Sequence, residues 1–207
     1  MLDLAAVLDL AEACAPGVAP ETLAAVAYVE SRFDPLAIGV NRGPAPPLRA
    51  RSRAQAVAAT RALLARGANL DLGLAQINSA NLPWLGLSIE DAFDPCRNLA
   101  ASATVLRAGY RPAGAEPAHR QAALRVALSR YNTGHPNRGL RNGYVARVEA
   151  AAARLSLTRP IAADAPAPGG PIRLAAEPPP PSWDVFARAR GGAVITVSTE
   201  PIGSSSP

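Results

Sequence analysis

The chain has 207 residues, a length that suits one compact domain with an appendage rather than two full domains. Hydrophobic residues make up 49% of the sequence but aromatic residues only 4%, which favours closely packed helices over a β-rich core of large side chains. The net charge is +5, every basic residue is arginine, and the excess lies within residues 1–156. A basic surface suits a polyanionic partner, but no nucleic-acid-binding module is present, so we expect no nucleic-acid partner.

Apolar periodicity, together with prolines and glycines, predicts a mostly α domain. The predicted helices run from about Leu2 to Ala13, Pro20 to Ser31 or Arg32, Ser52 to Ala65, Cys96 to Tyr110, Pro117 to Tyr131 and Tyr144 to Leu155. Because Asp34-Pro35 ends the second helix, Phe33 to Asn41 is predicted to be an irregular, structured loop. The segment "NLDLGLAQINSANLPWLGL" at 69–87 fits neither a helix nor a strand and is predicted to line a site. A long polar loop is predicted at "YNTGHPNRGLRNG", residues 131–143.

The first helix carries Asp3, Asp9 and Glu12 at helical spacing and lacks the basic leader and uninterrupted apolar run of a secretory signal. We therefore expect a folded helix at this position, with no signal peptide visible in the chain. No segment is long and uncharged enough to predict a membrane span.

The two cysteines, Cys14 and Cys96, have the wrong spacing for a metal cluster or a C-x-x-C redox pair. One interpretation is a disulfide that joins the end of the first helix to a distant loop and indicates an oxidising compartment. The other is a pair of buried thiols that pack as small hydrophobic side chains. The sequence alone leaves both open, and it predicts neither a metal site nor a cofactor.

Proline-rich composition from about Thr158 predicts a domain at 1–157 followed by a largely disordered tail at 158–207. Within that tail, "SWDVFARARGGAVITVS" at 182–198 carries Trp183 and Phe186. This segment either folds back onto the domain or is a short docking motif for a protein partner.

The segment "YVESRFDPLAIGVN" places a single carboxylate, Glu30, at the end of a helix built almost entirely of Ala, Val and Leu. An ordinary solvated glutamate is one interpretation. The other is a functional acid, because apolar surroundings at the mouth of a rigid loop disfavour the charged form and raise the pKa. A glutamate with a raised pKa can protonate a glycosidic oxygen at neutral pH.

Five short motifs in register resemble the lytic transglycosylases of the lysozyme superfamily, and most closely the lytic transglycosylase subunit of type IV secretion systems. They are the Glu-Ser pair, "IGVN", "NLDLGLAQIN", "DPCRN" and "YNTG", and the resemblance covers about Ala11 to Val148. It implies a lysozyme-like helical domain with a substrate groove.

The same resemblance implies roles for individual residues. Glu30 is similar to the single catalytic acid and base, and Ser31 to its hydrogen-bonding neighbour. The other positions implied to contact the sugar are Gly73, Gln76, Asn78, Tyr131, Asn132 and Tyr144. Among these, Gly73 is expected to permit close approach of the sugar, and Tyr144 to lie close to the catalytic carboxylate.

The implied function is cleavage of peptidoglycan glycan strands in the periplasm with formation of a 1,6-anhydro sugar, which opens the wall for a secretion machine. Most glycoside hydrolases need two catalytic carboxylates. Here the motifs identify only one, Glu30. Two alternatives remain. A goose-type lysozyme-like hydrolase would use Asp71 to activate water, and a non-catalytic assembly module would bind other secretion-system subunits through 182–198.

Overall fold

The computed structural model describes residues 1–44 and 49–158. The helices of this part are α1 (Leu4–Cys14), α2 (Pro20–Ser31), α3 (Arg53–Leu64), α4 (Leu82–Leu85), α5 (Ile89–Ala92), α6 (Pro95–Gly109), α7 (Pro117–Thr133), α8 (Arg138–Arg141) and α9 (Tyr144–Thr158), and a 3-10 turn covers Ser79–Asn81. The strands are β1 (Ile38–Arg42), β2 (Asn69–Leu72) and β3 (Ile77–Asn78). The prediction of a mostly α fold is confirmed.

Buried apolar side chains form two clusters that meet at Tyr131. The helical core is contributed by α1, α2, α6, α7 and α9, and Leu23 and Leu128 are among its buried side chains. The sheet core lies between α3, the strands and the α5–α6 region, with Leu70 and Phe93 buried within it. Tyr131 packs against both clusters, so the side chain at the end of α7 marks the boundary between them.

Helix α2 lies at the centre of the helical core because its side chains are small. Pro20 occupies the first turn, where its missing N–H costs nothing, and Glu21 complements the positive end of the helix dipole. Residues 22–27 are all buried, which lets α1 and α9 pack closely against this helix. The carboxyl end of α2, which carries Glu30, is therefore held from two sides.

The strands form an antiparallel sheet in the order β1-β2-β3. Gly39 lies opposite Asp71, and Asp71 in turn lies opposite Asn78. A register shift between Val40 and Arg42 leaves Asn41 in a bulge of β1. Bulges redirect side chains, and this one places Asn41 against the polar face of β2.

The predicted helices are found to within about three residues at each end, whereas the predicted loops contain regular structure that was missed. The irregular loop predicted at Phe33 to Asn41 ends in β1, and the segment at 69–87 contains β2, β3 and α4. The polar loop at 131–143 contains α8. These elements are two to five residues long, too short for their apolar periodicity to be recognised.

Cys14 and Cys96 form a disulfide, with a Cα–Cα distance of 5.4 Å across 82 residues of sequence. The bond joins the carboxyl end of α1 to the first turn of α6. It therefore links a helix of the helical core to α6, which contributes buried side chains to both cores.

None of the helices at 1–44 and 49–158 combines the length and the apolarity that crossing a bilayer requires. Within the same ranges, His, Cys, Asp and Glu side chains form no group of three or more that could hold a metal ion. Segment 182–198, including Trp183 and Phe186, lies outside the described residues. The domain boundary after 157 and the tail at 158–207 stay predictions.

Replacing both cysteines, Cys14→Ser with Cys96→Ser, is expected to lower the free energy of unfolding by about 2–5 kcal/mol. A cross-link between residues so far apart in sequence removes much of the conformational freedom of the unfolded chain. Urea unfolding of the oxidised wild type and of the double variant measures the difference. Equal midpoints would show that the disulfide adds nothing to stability.

Candidate active site

A polar cleft of about 380 Å³ opens where the two cores meet. It is lined by Glu30, Asn41, Asp71, Gln76, Ile77, Asn78, Asn81, Val105, Arg130, Tyr131, Asn132, Thr133 and Gly134. Five of the eight residues predicted to form the site therefore lie on its walls. Ser31, Gly73 and Tyr144 lie behind them.

Glu30 projects from the last turn of α2 into the cleft, and the Tyr144 hydroxyl donates a 2.6 Å hydrogen bond to its Oε1. Burial raises the pKa of Glu30 from its ordinary value of 4.5 to about 7. The Tyr144 hydrogen bond opposes this shift, the negative charge of Asp71 adds to it, and the positive charge of Arg147 lowers it slightly. At neutral pH the carboxyl group is therefore poised between its acid and base forms.

Tyr144 is almost fully buried at the start of α9. Its burial, followed by the nearby charge of Glu30, raises the pKa of the phenol well above the ordinary value of 10.0. The phenol consequently keeps its proton and serves as a hydrogen-bond donor to the carboxylate. Tyr144 thus lies next to Glu30, as the resemblance implied.

The chain reverses direction immediately after Glu30. Arg32 and Phe33 both have positive φ, at 56° and 66°, a conformation that costs energy for residues other than glycine. The Ser31 hydroxyl supports this turn by accepting a hydrogen bond from the Asp34 backbone N–H at 3.1 Å.

Ser31 was expected to hydrogen-bond its neighbour Glu30 and to contact sugar, but its hydroxyl is used elsewhere. It donates to the Leu74 carbonyl at 2.6 Å, and it lies behind the cleft wall. The physical reason is its position on α2, where it faces the segment that follows β2 rather than the cleft. Ser31 joins the end of α2 to that segment.

A tight turn at 72–76 follows β2, and buried Asn98 of α6 holds it. The Asn98 amide donates to the carbonyls of Leu72 and Ala92 at 2.9 and 2.7 Å and accepts from the Ala75 N–H at 2.7 Å. The side chain is wholly buried, and each of these three bonds satisfies a backbone group that water cannot reach.

Gly73 was expected to let sugar approach closely, but it faces the protein interior. Its φ is 74°, and an added Cβ would lie 2.2 Å from the Ala92 carbonyl oxygen and 2.6 Å from the Asn98 amide nitrogen. Glycine is therefore required for packing against the end of α5 and against α6. The residue shapes the cleft only indirectly, by allowing the turn at 72–76.

Gln76 lines the cleft and is also fixed to the backbone. Its amide nitrogen donates to the carbonyls of Gly73 and Ala37 at 2.9 and 3.2 Å. A Cβ on Gly39 would lie 2.5 Å from the Gln76 side-chain oxygen, so the glycine in β1 provides the space for this amide. The side-chain amide of Gln76 is thus held in one orientation within the cleft wall.

Asp71 occupies the wall contributed by the sheet. One carboxylate oxygen accepts from the Asn78 amide at 2.7 Å, and the other accepts from the Asn41 amide at 2.8 Å. The side-chain oxygen of Asn69 accepts a hydrogen bond from each of the same two amides, those of Asn41 and Asn78. A polar network thus connects the three strands. Asn78, which was predicted to contact substrate, therefore donates its amide N–H groups to Asp71 and Asn69.

Tyr131 and Asn132 form the wall contributed by α7. The Tyr131 hydroxyl donates to the Ala75 carbonyl at 2.6 Å, and burial raises the pKa of this phenol, so it remains protonated. The Asn132 carbonyl oxygen accepts from the Asn142 amide at 3.0 Å. Asn142 in turn accepts from the Tyr144 N–H at 3.0 Å, which connects the cleft wall to the start of α9.

Sequence reasoning missed Asn98, Asn41 and Arg130 as residues that build the site. Asn98 lies in the "DPCRN" segment and Asn41 ends "IGVN", so both were within recognised motifs without an assigned role. Arg130 immediately precedes "YNTG". Only the pairing of β1 with β2 brings Asn41 to the cleft wall, and only the packing of α6 places Asn98 behind that wall, against the turn at 72–76.

Comparison with protein families matches residues 9–152 to the transglycosylase SLT domain. The chain belongs to this family. It is also 47% identical over 148 residues to "Protein virB1" of Agrobacterium fabrum, an alignment that covers 71% of this chain and 59% of that protein. It is 42% identical over 163 residues to "Type IV secretion system protein virB1" of Brucella suis biovar 1, covering 75% of this chain and 66% of the relative.

The matched region thus spans about three fifths of the first virB1 relative and just under two thirds of the Brucella relative. No solved structure matches the chain. The SLT domain match covers every residue of the cleft wall and both cysteines. The predicted lysozyme-like fold is confirmed by this family membership together with the helical architecture.

Replacing Glu30 by glutamine is expected to stabilise the protein at pH 8 by up to about 3 kcal/mol and to leave stability unchanged near pH 4. Since the pKa of Glu30 is about 7 in the folded state and 4.5 ordinarily, the folded protein holds a proton that the unfolded chain loses as the pH rises between these values. The wild type therefore loses stability across that window, and the variant does not.

Urea unfolding at pH 4 and pH 8 measures this difference, with Glu116→Gln, a change at an exposed position, as the matched control. A gain of equal size at both pH values would show that the Glu30 carboxyl is not held in its neutral form by burial.

Proposed function

We propose that this SLT-domain protein is a lytic transglycosylase that cleaves the β-1,4 bond between N-acetylmuramic acid and N-acetylglucosamine in peptidoglycan. Glu30 protonates the glycosidic oxygen, and the bond from that oxygen to C1 of muramic acid breaks. The C6 hydroxyl of the same sugar then bonds to C1 while its proton returns to Glu30. The products are a 1,6-anhydro sugar and a new chain end, and no water is consumed.

The observation that carries the proposal is the Glu30 carboxyl group with a pKa of about 7 in a polar cleft. The same group must give a proton in the first half of the reaction and take one in the second, so a pKa near the working pH serves both steps. Tyr144 bonds Oε1, and no described residue bonds Oε2, which leaves that oxygen to face the substrate.

The remaining cleft residues suit a saccharide because they present fixed polar groups. Gln76 offers a preset amide oxygen, and Asn132 an amide nitrogen, to the hydroxyl and acetamido groups of a sugar. Asn78 and Tyr131 contribute mainly by fixing Asp71 and the turn at 72–76. Preorganised groups of this kind lose little entropy when the sugar binds.

The names of the relatives support a periplasmic setting for the proposed reaction. The Brucella relative is a type IV secretion system protein, and a wall-cleaving enzyme in such a system acts in the periplasm, where it opens peptidoglycan for assembly. A disulfide suits that oxidising compartment, and the net charge of +5 suits an anionic polymer. Other secretion-system subunits would be bound through segment 182–198.

A hydrolase is the second candidate, favoured by the position of Asp71 on the wall of the same cleft as Glu30. In that case Asp71 would activate a water molecule to attack C1, and the product would carry a reducing end. Asn41 and Asn78 each donate a hydrogen bond to Asp71, which reduces its capacity to bind water. This arrangement favours the transglycosylase.

Purified peptidoglycan treated with the wild type is expected to release anhydromuropeptides, and Glu30→Gln is expected to release essentially none, because glutamine cannot transfer the proton. Mass spectrometry of the soluble fragments distinguishes the products, since reducing-end fragments are heavier by one water. Asp71→Asn, which keeps the shape of the side chain, is the matched comparison.

Release of anhydro products by Asp71→Asn at near wild-type rate would leave Glu30 as the essential carboxyl group. Reducing-end products that depend on Asp71 would establish the hydrolase and refute the transglycosylase.

Tyr144→Phe is expected to shift the alkaline limb of the pH profile of kcat/KM to higher pH and to lower the maximum about ten-fold through looser positioning. The Tyr144 hydrogen bond lowers the pKa of Glu30, so its removal raises that pKa and extends the acid form upward. Initial rates of wall solubilisation across pH 5 to about 9 measure this limb. The pH dependence of kcat/KM reports the pKa of the essential group in the free enzyme. Tyr110→Phe, at a buried position outside the cleft lining, is the control, and an unmoved limb in Tyr144→Phe would contradict the assignment.

A further inference from the structure

The cleft wall described above carries three charged residues, and Arg130 is the cation among them. Glu30 and Asp71 lie on the α2 and sheet sides, whereas Arg130 is exposed in the last turn of α7. The cation that acts on the pKa of Glu30 is Arg147. Arg130 is therefore placed to meet a part of the ligand other than the bond that is cleaved.

The side chain of Arg130 is supported along its length. A Cβ on Gly109, at the end of α6, would lie 3.5 Å from both the Cβ and the Cδ of Arg130. The aliphatic stem thus lies against the backbone of α6 at Gly109, while the residue as a whole stays exposed. A stem that is already packed loses less rotamer freedom when its guanidinium binds a ligand.

Arg130 also lacks a carboxylate partner within residues 1–44 and 49–158. The arginines that do have one there are Arg49, Arg53, Arg61, Arg97 and Arg125. A supported guanidinium on a cleft wall without an ion pair is available for an anionic group of the ligand. Its position near the end of α7 also complements the helix dipole, which is a purely structural role.

We infer that Arg130 binds a carboxylate of the peptide that peptidoglycan carries on its muramic acid residues, so that the cleft recognises peptide-bearing strands. The inference rests on the proposed function. A guanidinium matches a carboxylate with two parallel hydrogen bonds, which neutral sugar hydroxyls do not provide. Arg130 would then select which stretches of a strand enter the cleft, while Glu30 acts on the glycosidic bond.

Binding can be measured without catalysis in the full-length Glu30→Gln protein. Titration calorimetry with a peptide-bearing muropeptide tetrasaccharide and with the same saccharide after removal of its peptides gives the two dissociation constants. Adding Arg130→Gln is expected to weaken binding of the peptide-bearing ligand about ten-fold and to leave the stripped ligand unchanged. Arg130→Lys, which keeps the charge but not the fork of donors, is expected to lose part of that affinity.

Arg66→Gln removes one charge from an exposed position outside the cleft lining and controls for net charge. Equal affinity of Arg130→Gln and its parent for the peptide-bearing ligand would overturn the inference and leave the proposed function intact. An equal loss for both ligands would also overturn it, since Arg130 would then act on the sugar or on the end of α7. Failure of the parent to bind either ligand would overturn the proposed function as well.

Discussion

The structure depends on how the buried turn at 72–76 satisfies its backbone. A turn taken out of water must find partners for its N–H and C=O groups, and here three helices provide them. Ser31 of α2 donates to the Leu74 carbonyl, Asn98 of α6 bonds both sides of the turn, and Tyr131 of α7 donates to the Ala75 carbonyl. Each helix that shapes the cleft is thereby fixed to one short segment.

The carboxyl group of Glu30 gains its properties from this arrangement. Since α2 is fixed at Ser31 and packed by α9, the backbone that carries the glutamate is held in place, and burial of the carboxyl group raises its pKa to about 7. Holding such a group largely out of water costs stability, as do the left-handed conformations of Arg32 and Phe33. Two cores and a disulfide across 82 residues offset that cost.

Much of the fold could be predicted because its signals are local. Prolines at helix starts, apolar periodicity and glycines after helix ends gave the long helices to within about three residues, since these features act over one or two turns. The apolar helix that ends on Glu30 drew attention to this carboxylate, but a catalytic role was predicted for it only through the resemblance of the motifs to a known family. The strands were missed because segments of two to five residues carry too little periodicity. The partner of β1 also lies about 30 residues away along the chain, in β2.

The sequence by itself determined the helices, the position of the Glu30 carboxylate at the end of α2 and, through its motifs, the family. Only the tertiary structure decided what each motif residue does. Gly73 faces Asn98 rather than sugar, and Ser31 holds Leu74 rather than Glu30. The deciding bonds join residues 43, 56 and 114 positions apart, from Ser31 to Leu74, Tyr131 to Ala75 and Tyr144 to Glu30. Side-chain direction at such distances is set by helix packing, which a local pattern does not encode.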